Sequence, residues 1–357
     1  MNAVKIWRVA FPVAGLLLAG MVLLGTGCAT PSPRASGATP TATAGVTSAA
    51  PVPAAQPETP ASGMDFGGRR FDWARAKEIH PSILCTSFAV EHPRLMKGSC
   101  VRVDLADTNL RFLAAGRAKA WGEPMPECPD KPYRIRTRRQ TVRDFMLESR
   151  KAVSDGGRGL DMRVAVNSTP WSPWESPWNH KYADRTGLIV SEGELVAPSI
   201  GYPSFIVYKD GAVAFRKLAP SDPITNIQTA VSGFGICMTN GIILARNNPA
   251  SLAPRTGFGL SRGQRYLYLF VVDGRQPDYS MGANTYEVAE WLRYFGADDG
   301  MNMDGGGSTT LFCWDPVPDP DNTDPKSKTT PNLHKLNRQQ DNAERSVACP
   351  LGIYLAD

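Results

Sequence analysis

From about residue 66 onward, short apolar runs alternate with polar, Gly- and Pro-marked turns, the pattern of many short strands. Residues 83–90 (ILCTSFAV), 101–105 (VRVDL) and 110–114 (LRFLA) read as strands, and 162–166 (MRVAV) reads as a buried strand ending at Asn167. SFIVYKDGAVAF at 204–215 predicts a hairpin turning at Asp210-Gly211. Further strand-like runs are 227–234, 241–245, 347–355 and the almost wholly apolar 266–272 (YLYLFVV). Two stretches have helical spacing. One starts at Thr141, with Asp144 three residues on as in a capping box, and runs to about Ala152. The other covers 285–295 with Gly296 as its C-cap. Strands outnumber helices, and the helices fall between strand pairs. This predicts an α+β single domain built on a mixed β-sheet with few helices.

The first 63 residues break this pattern. Lys5 and Arg8 precede an apolar run from Val9 to Leu24, and Gly25-Thr26-Gly27-Cys28 follows. A basic head, a short greasy segment and small residues before a cysteine predict a lipoprotein-type signal peptide over 1–27, with diacylglycerol on Cys28. Residues 28–63 are Ala, Thr, Pro, Ser and Gly with hardly a large apolar side chain, so they are expected to form a disordered tether. The folded domain is then 64–357, exported and held at the cell envelope by its lipid. Cys85, Cys100, Cys128, Cys237, Cys313 and Cys349 remain, an even number that predicts disulfides in one of about 15 connectivities. No CxxC pair or Cys/His spacing predicts a zinc site. The net charge of +5 is modest and dispersed, with RIRTRR at 134–139 the densest basic run, so no nucleic-acid partner is expected.

Candidate chemistry gathers where apolar strands end, since loops at those points carry function. The strongest stretch is MNMDGGGSTT at 301–310. An Asp-Gly alone reads as a tight turn. Asp304 before Gly305, Gly306 and Gly307, followed by the hydroxyls of Ser308, Thr309 and Thr310, points instead to a loop whose amides converge on an anion. Asn167, Arg255-Thr256 and Asp273-Gly274-Arg275 hold comparable positions after apolar strands. Two carboxylates and two arginines suit cleavage of a bond between a sugar and a phosphate. Carboxylates serve as acid, base or nucleophile at the anomeric carbon, and guanidinium forks match phosphate oxygens. A divalent cation held by the Asp cluster is left open, without a complete ligand set. The Trp171, Trp174 and Trp178 loop offers faces to a pyranose ring, or simply packs on its own domain.

These motifs in their order resemble the phosphodiester glycosidases related to the mannose 6-phosphate uncovering enzyme. The resemblance rests on AVN at 165–167, AVSGFGI at 230–236, PRTGFGL at 254–260, VVDGRQ at 271–276, TYEVAEWLRYFGA at 285–297, MNMDGGGSTTLF at 301–312 and ERSVACPLGIYL at 344–355. It implies a hydrolase that releases a sugar from a sugar-1-phosphodiester, with Asp304 and Asp273 as the catalytic carboxylates. It also implies a substrate-binding set of Asn167, Arg255, Thr256, Gly274, Arg275, Asn302, Gly305, Gly306, Gly307, Ser308 and Arg345, with Glu287 nearby. Glu287 also sits at the third position after Asn284, where it would cap the helix. The family pattern of glycines and two aromatics after its Asn is replaced here by Ser168-Thr169-Pro170-Trp171. Two other functions fit the same residues: a phosphodiesterase breaking P–O, and a non-catalytic module binding envelope glycans.

Overall fold

The computed structural model describes residue 64 and residues 66–356, except 176–178, 186, 319–325, 327–328 and 341–342. The signal segment, Cys28, the tether and Trp178 lie outside the described residues.

The domain is α+β and mostly sheet, with two α-helices among the described residues. An eight-stranded sheet faces two five-stranded sheets, and a three-stranded sheet lies apart from them in the strand order. Every ladder among the described residues is antiparallel, so the expected mixed sheet is corrected. Apolar alternation identifies a strand but not the direction of its neighbour.

One strand shows how the layers arise. In Tyr266–Val272, Leu267, Leu269 and Val271 face the core between the sheets, where Ile83, Val103, Phe205, Val166 and Leu351 meet them. Tyr268, Phe270 and Val272 face the opposite way, onto the helix Thr285–Phe295. With both faces covered, every position is apolar. The helix begins with a capping box, Asn284 Oδ1 accepting from Glu287 N at 3.0 Å and Glu287 Oε2 from Asn284 N at 2.9 Å, and ends at left-handed Gly296. Its seat is cut by two glycines of the strand Arg255–Leu260. A Cβ at Gly257 would come 2.7 Å from Val288, and one at Gly259 would come 2.7 Å from Ala297. On the outer face of a five-stranded sheet, the helix Val142–Arg150 buries Val142, Phe145 and Met146 against Ala165 and Phe312.

The expected disulfides are absent among the described residues: all six cysteines are free and buried. Cys100 and Cys237 lie in the core beneath the long helix, Cys349 lies in the core between the sheets, and there Cys85 and Cys313 stand side by side with their thiols in hydrogen-bond contact.

Candidate active site

The loop after Asp299–Asn302 is tied at both ends by one buried side chain, Asn167. Asn167 lies inside the strand Asp161–Thr169, two residues before its end, and is fully buried. Its Nδ2 donates to Asp304 O at 2.7 Å, and its Oδ1 accepts from Thr256 Oγ1 at 2.8 Å and Thr310 N at 3.0 Å. Thr256 belongs to the eight-stranded sheet and Asn167 to a five-stranded one, so this amide pins the loop at the seam between them. Asn167 and Thr256 therefore lie beneath the site and position it.

The loop is not the anion nest expected of its amides. Gly305 N donates to Asp304 Oδ1 at 3.0 Å, Gly306 N to Pro254 O at 2.8 Å, Ser308 N to Gly305 O at 3.2 Å and Thr309 N to Gly306 O at 3.1 Å. The glycines instead make room for cations. A Cβ on Gly306, which has a φ of 62°, would lie 3.3 Å from Arg275 Nη1, and one on Gly307 would lie 2.5 Å from Arg345 Cζ. Two guanidinium groups thus rest against the glycine backbone.

Asp304, Gly305, Gly306, Arg255, Arg275 and Arg345 line one cavity of about 550 Å³, with Trp171, Trp174 and Phe234 as its apolar wall. Arg255 is fixed by Nε donating to Ala283 O at 3.1 Å and Nη2 to Ser251 O at 2.8 Å. Arg345 lies 4.9 Å from the Trp174 ring centroid. The cations sense one another: burial and then the Arg275 charge lower the pKa of Arg255, and burial, with Arg275 again, lowers that of Arg345 against the opposing pull of Asp304. Asp304 is only partly exposed, and its Oδ2 is shut off from solvent without a hydrogen-bond partner. Burial pushes its pKa up to about 6, although the Ser308 hydroxyl, the Gly305 amide and Arg345 all favour the anion. A carboxyl so placed exchanges its proton near pH 6 instead of near 4.

Asp273 is not brought to this cavity. Its Oδ1 accepts from Arg338 N at 2.9 Å and Asn337 Nδ2 at 3.2 Å, and Asn337 Nδ2 also donates to Thr309 O at 3.0 Å. It is a buried tie between the end of Tyr266–Val272 and the segment behind the loop, and burial pushes its pKa to about 6 as well. The pair of carboxylates expected at one site is corrected to a single one, and the Asp cluster imagined around a cation does not form. Among the described residues, no group of three or more His, Cys, Asp or Glu side chains could hold a metal ion. Gly274 packs against Pro254 and Ala253, and Asn302 turns its Nδ2 to Met303 O at 3.3 Å. Glu287 caps the helix and pairs with Arg94, whose Nη2 also donates to Gly282 O at 3.0 Å. Phe234, part of the cavity wall, lies within AVSGFGI without any periodic signal.

A family model described as phosphodiester glycosidase matches residues 163–354. Over 147 residues the chain is 30% identical to the N-acetylglucosamine-1-phosphodiester alpha-N-acetylglucosaminidase of Mus musculus, an alignment covering 35% of this chain and 28% of the mouse protein's length. Among solved structures, the catalytic domain of the zebrafish N-acetylglucosamine-1-phosphodiester alpha-N-acetylglucosaminidase matches with a TM-score of 0.50 at 19% identity, covering 79% of this chain and 87% of that one. A hypothetical protein from Synechocystis matches with a TM-score of 0.51 at 11% identity, covering 77% and 62%. At these identities the two structures share the fold with this chain.

Proposed function

The chain belongs to the phosphodiester glycosidase family, and from that premise we propose that it hydrolyses a sugar-1-phosphodiester at the anomeric carbon, releasing the sugar. One observation carries this reading: a single carboxylate titrating near neutrality shares its cavity with three arginines and an aromatic wall. Trp171, Trp174 and Phe234 offer apolar faces to a pyranose ring. Arg255, Arg275 and Arg345 take the phosphate oxygens through charge-assisted hydrogen bonds. Asp304 works as the anion at the anomeric carbon. Water adds to that carbon and gives up a proton to the Asp304 carboxylate, the C–O bond to the phosphate breaks, and the bridging oxygen leaves with the phosphate. A phosphate ester departs without a strong acid to protonate it, so one carboxylate suffices and Asp273 is not needed in the cavity.

Hydrolysis in oxygen-18 water tests the bond that breaks. Label in the released sugar is expected; label in the phosphate would establish P–O cleavage and overturn the glycosidase reading. The N-terminal sequence supports a further part of the proposal, that the mature chain begins at Cys28 and is held at the envelope by lipid. Mass spectrometry of the N-terminal peptide from the native host should find diacylglyceryl-Cys28. An unmodified peptide running through residue 28 would refute it.

A further inference from the structure

Two cysteines from opposite sheets meet in the core. Cys85 lies in Ile83–Val90 of the eight-stranded sheet, and Cys313 lies in Leu311–Trp314, a strand of a five-stranded sheet that leads out of the glycine loop. Their thiols are in hydrogen-bond contact, Cys313 donating to Cys85, and both line a cavity of about 320 Å³ together with Lys77 and Asp315. We propose that this pair is a redox-sensitive clamp: an external disulfide oxidises the two thiols to a Cys85–Cys313 bond that joins the two sheets. The clamp uses no residue of the proposed chemistry, so it stands or falls independently of the glycosidase reading.

The neighbours of the thiols hold them opposite each other. Lys77 is the register partner of Cys85 on the adjacent strand Lys77–His80, and Asp315 lies two residues past Cys313. Lys77 Nζ meets Asp315 Oδ2 at 2.6 Å, and Asp315 is buried, so an ion pair spans the same two sheets beside the thiols. The two thiols also differ in a way that sets the order of attack. Cys85 keeps 8% of its surface exposed against 1% for Cys313. The hydrogen bond from Cys313 lowers the pKa of Cys85, helped by the Lys77 charge and opposed by burial and Asp315, while burial raises that of Cys313. Cys85 therefore loses its proton first and attacks one sulfur of the external disulfide, whose other sulfur leaves as a thiolate. Cys313 then gives up its proton and attacks Cys85 Sγ, and the second external sulfur leaves. Each departing thiolate takes one of the two protons, so two protein thiols are oxidised to one disulfide and the external disulfide is reduced to two thiols. The other four described cysteines have different neighbours. Cys100 Sγ, Cys128 Sγ and Cys349 Sγ donate to Val101 O at 3.9 Å, Glu175 Oε1 at 3.9 Å and Pro350 O at 3.7 Å, and Cys237 lies among apolar side chains beneath the long helix.

The test incubates the folded full chain with oxidised glutathione or with dithiothreitol, blocks free thiols with N-ethylmaleimide in a denaturing quench, and maps the peptides by mass spectrometry. The oxidised sample should yield a cross-linked peptide pair holding Cys85 and Cys313, lighter by two hydrogen atoms than the reduced pair, with Cys100, Cys237 and Cys349 blocked. Its melting temperature should exceed that of the reduced sample by about 5 °C, because a bond between residues so distant in sequence constrains the unfolded chain. Cys85→Ser should abolish that difference, and Cys313→Ser should trap glutathione on Cys85. Blocked thiols at both positions after oxidation, a bond from either to a different cysteine, or equal melting of the two wild-type forms overturns the clamp. A folded Cys313→Ser without glutathione overturns Cys85 as the attacking thiol. The peptide map and the melt of the wild type decide the clamp even where a serine variant does not fold.

Discussion

Gly307→Ala separates the shape of the loop from its chemistry. Of the three loop glycines, only Gly306 has a left-handed φ, so the backbone at 307 accepts alanine without that strain. Restricting the unfolded chain should contribute about 0.4–1 kcal/mol in favour of the variant. What the new methyl meets is Arg345, with Cζ at 2.5 Å and Nε at 3.0 Å. These atoms end a flexible side chain, so the guanidinium can swing aside and the fold survives. The loss falls on the phosphate. A hydrogen bond to a charged group is worth about 1.5–3 kcal/mol, which corresponds to roughly 10- to 150-fold in kcat/KM. The paired assay is steady-state hydrolysis of a sugar-1-phosphodiester alongside thermal melting. Activity should fall at least about tenfold, with the melting temperature unchanged or slightly raised. Full activity with an intact melt would mean that Arg345 does not hold the phosphate. A large drop in melting temperature would mean that the glycine serves the fold.

Two further outcomes follow from the buried acids. Asp304 and Asp273 both have folded pKa values raised to about 6 from an ordinary 3.8, so between those values the native state holds protons that the unfolded chain has lost. Stability should therefore fall as pH rises from about 4 through 6, by up to about 3 kcal/mol for each acid. Denaturant melts should show Asp304→Asn removing about half of that drop; a slope identical to wild type would contradict the burial argument. Over the same range kcat/KM should rise, since the anion is the working form, and a rate that falls through pH 6 would make Asp304 an acid instead. Asp273→Asn keeps an Oδ1 to accept from Arg338 N and Asn337 Nδ2, so it should retain activity within a few-fold, whereas Asp304→Asn should abolish it. Loss of turnover in Asp273→Asn with an unchanged melt would return that carboxylate to the chemistry.

Features set by local spacing were legible in the sequence. The helix Thr285–Phe295, its Asn284–Glu287 capping box and the turn at Asp210-Gly211 all depend on neighbours within a few residues. Asp273 and Asp304 show where that legibility stops. Each follows an apolar strand and precedes glycine, so the chain presents them as equals. They differ in what lies across from them, because Arg338 and Asn337 take up one, and the cavity wall receives the other. The glycine loop stands out in the sequence, but glycine signals only that something comes close. Whether that is an anion met by amides or a guanidinium lying on the backbone depends on Arg275 and Arg345, the latter 38 residues beyond Gly307.

The Asn167 amide joins partners 89, 137 and 143 residues away in sequence, and these contacts set the position of Asp304. Contacts of such separation carry a large loop-closure entropy and tend to form late. Catalysis should accordingly report completed assembly: during refolding, regained turnover should trail the return of sheet signal, and no piece lacking the 161–169 strand should acquire it. Hairpins and the capped helix can form from neighbours alone, but the carboxylate finds its place only when chain segments on both sides of the sandwich have met.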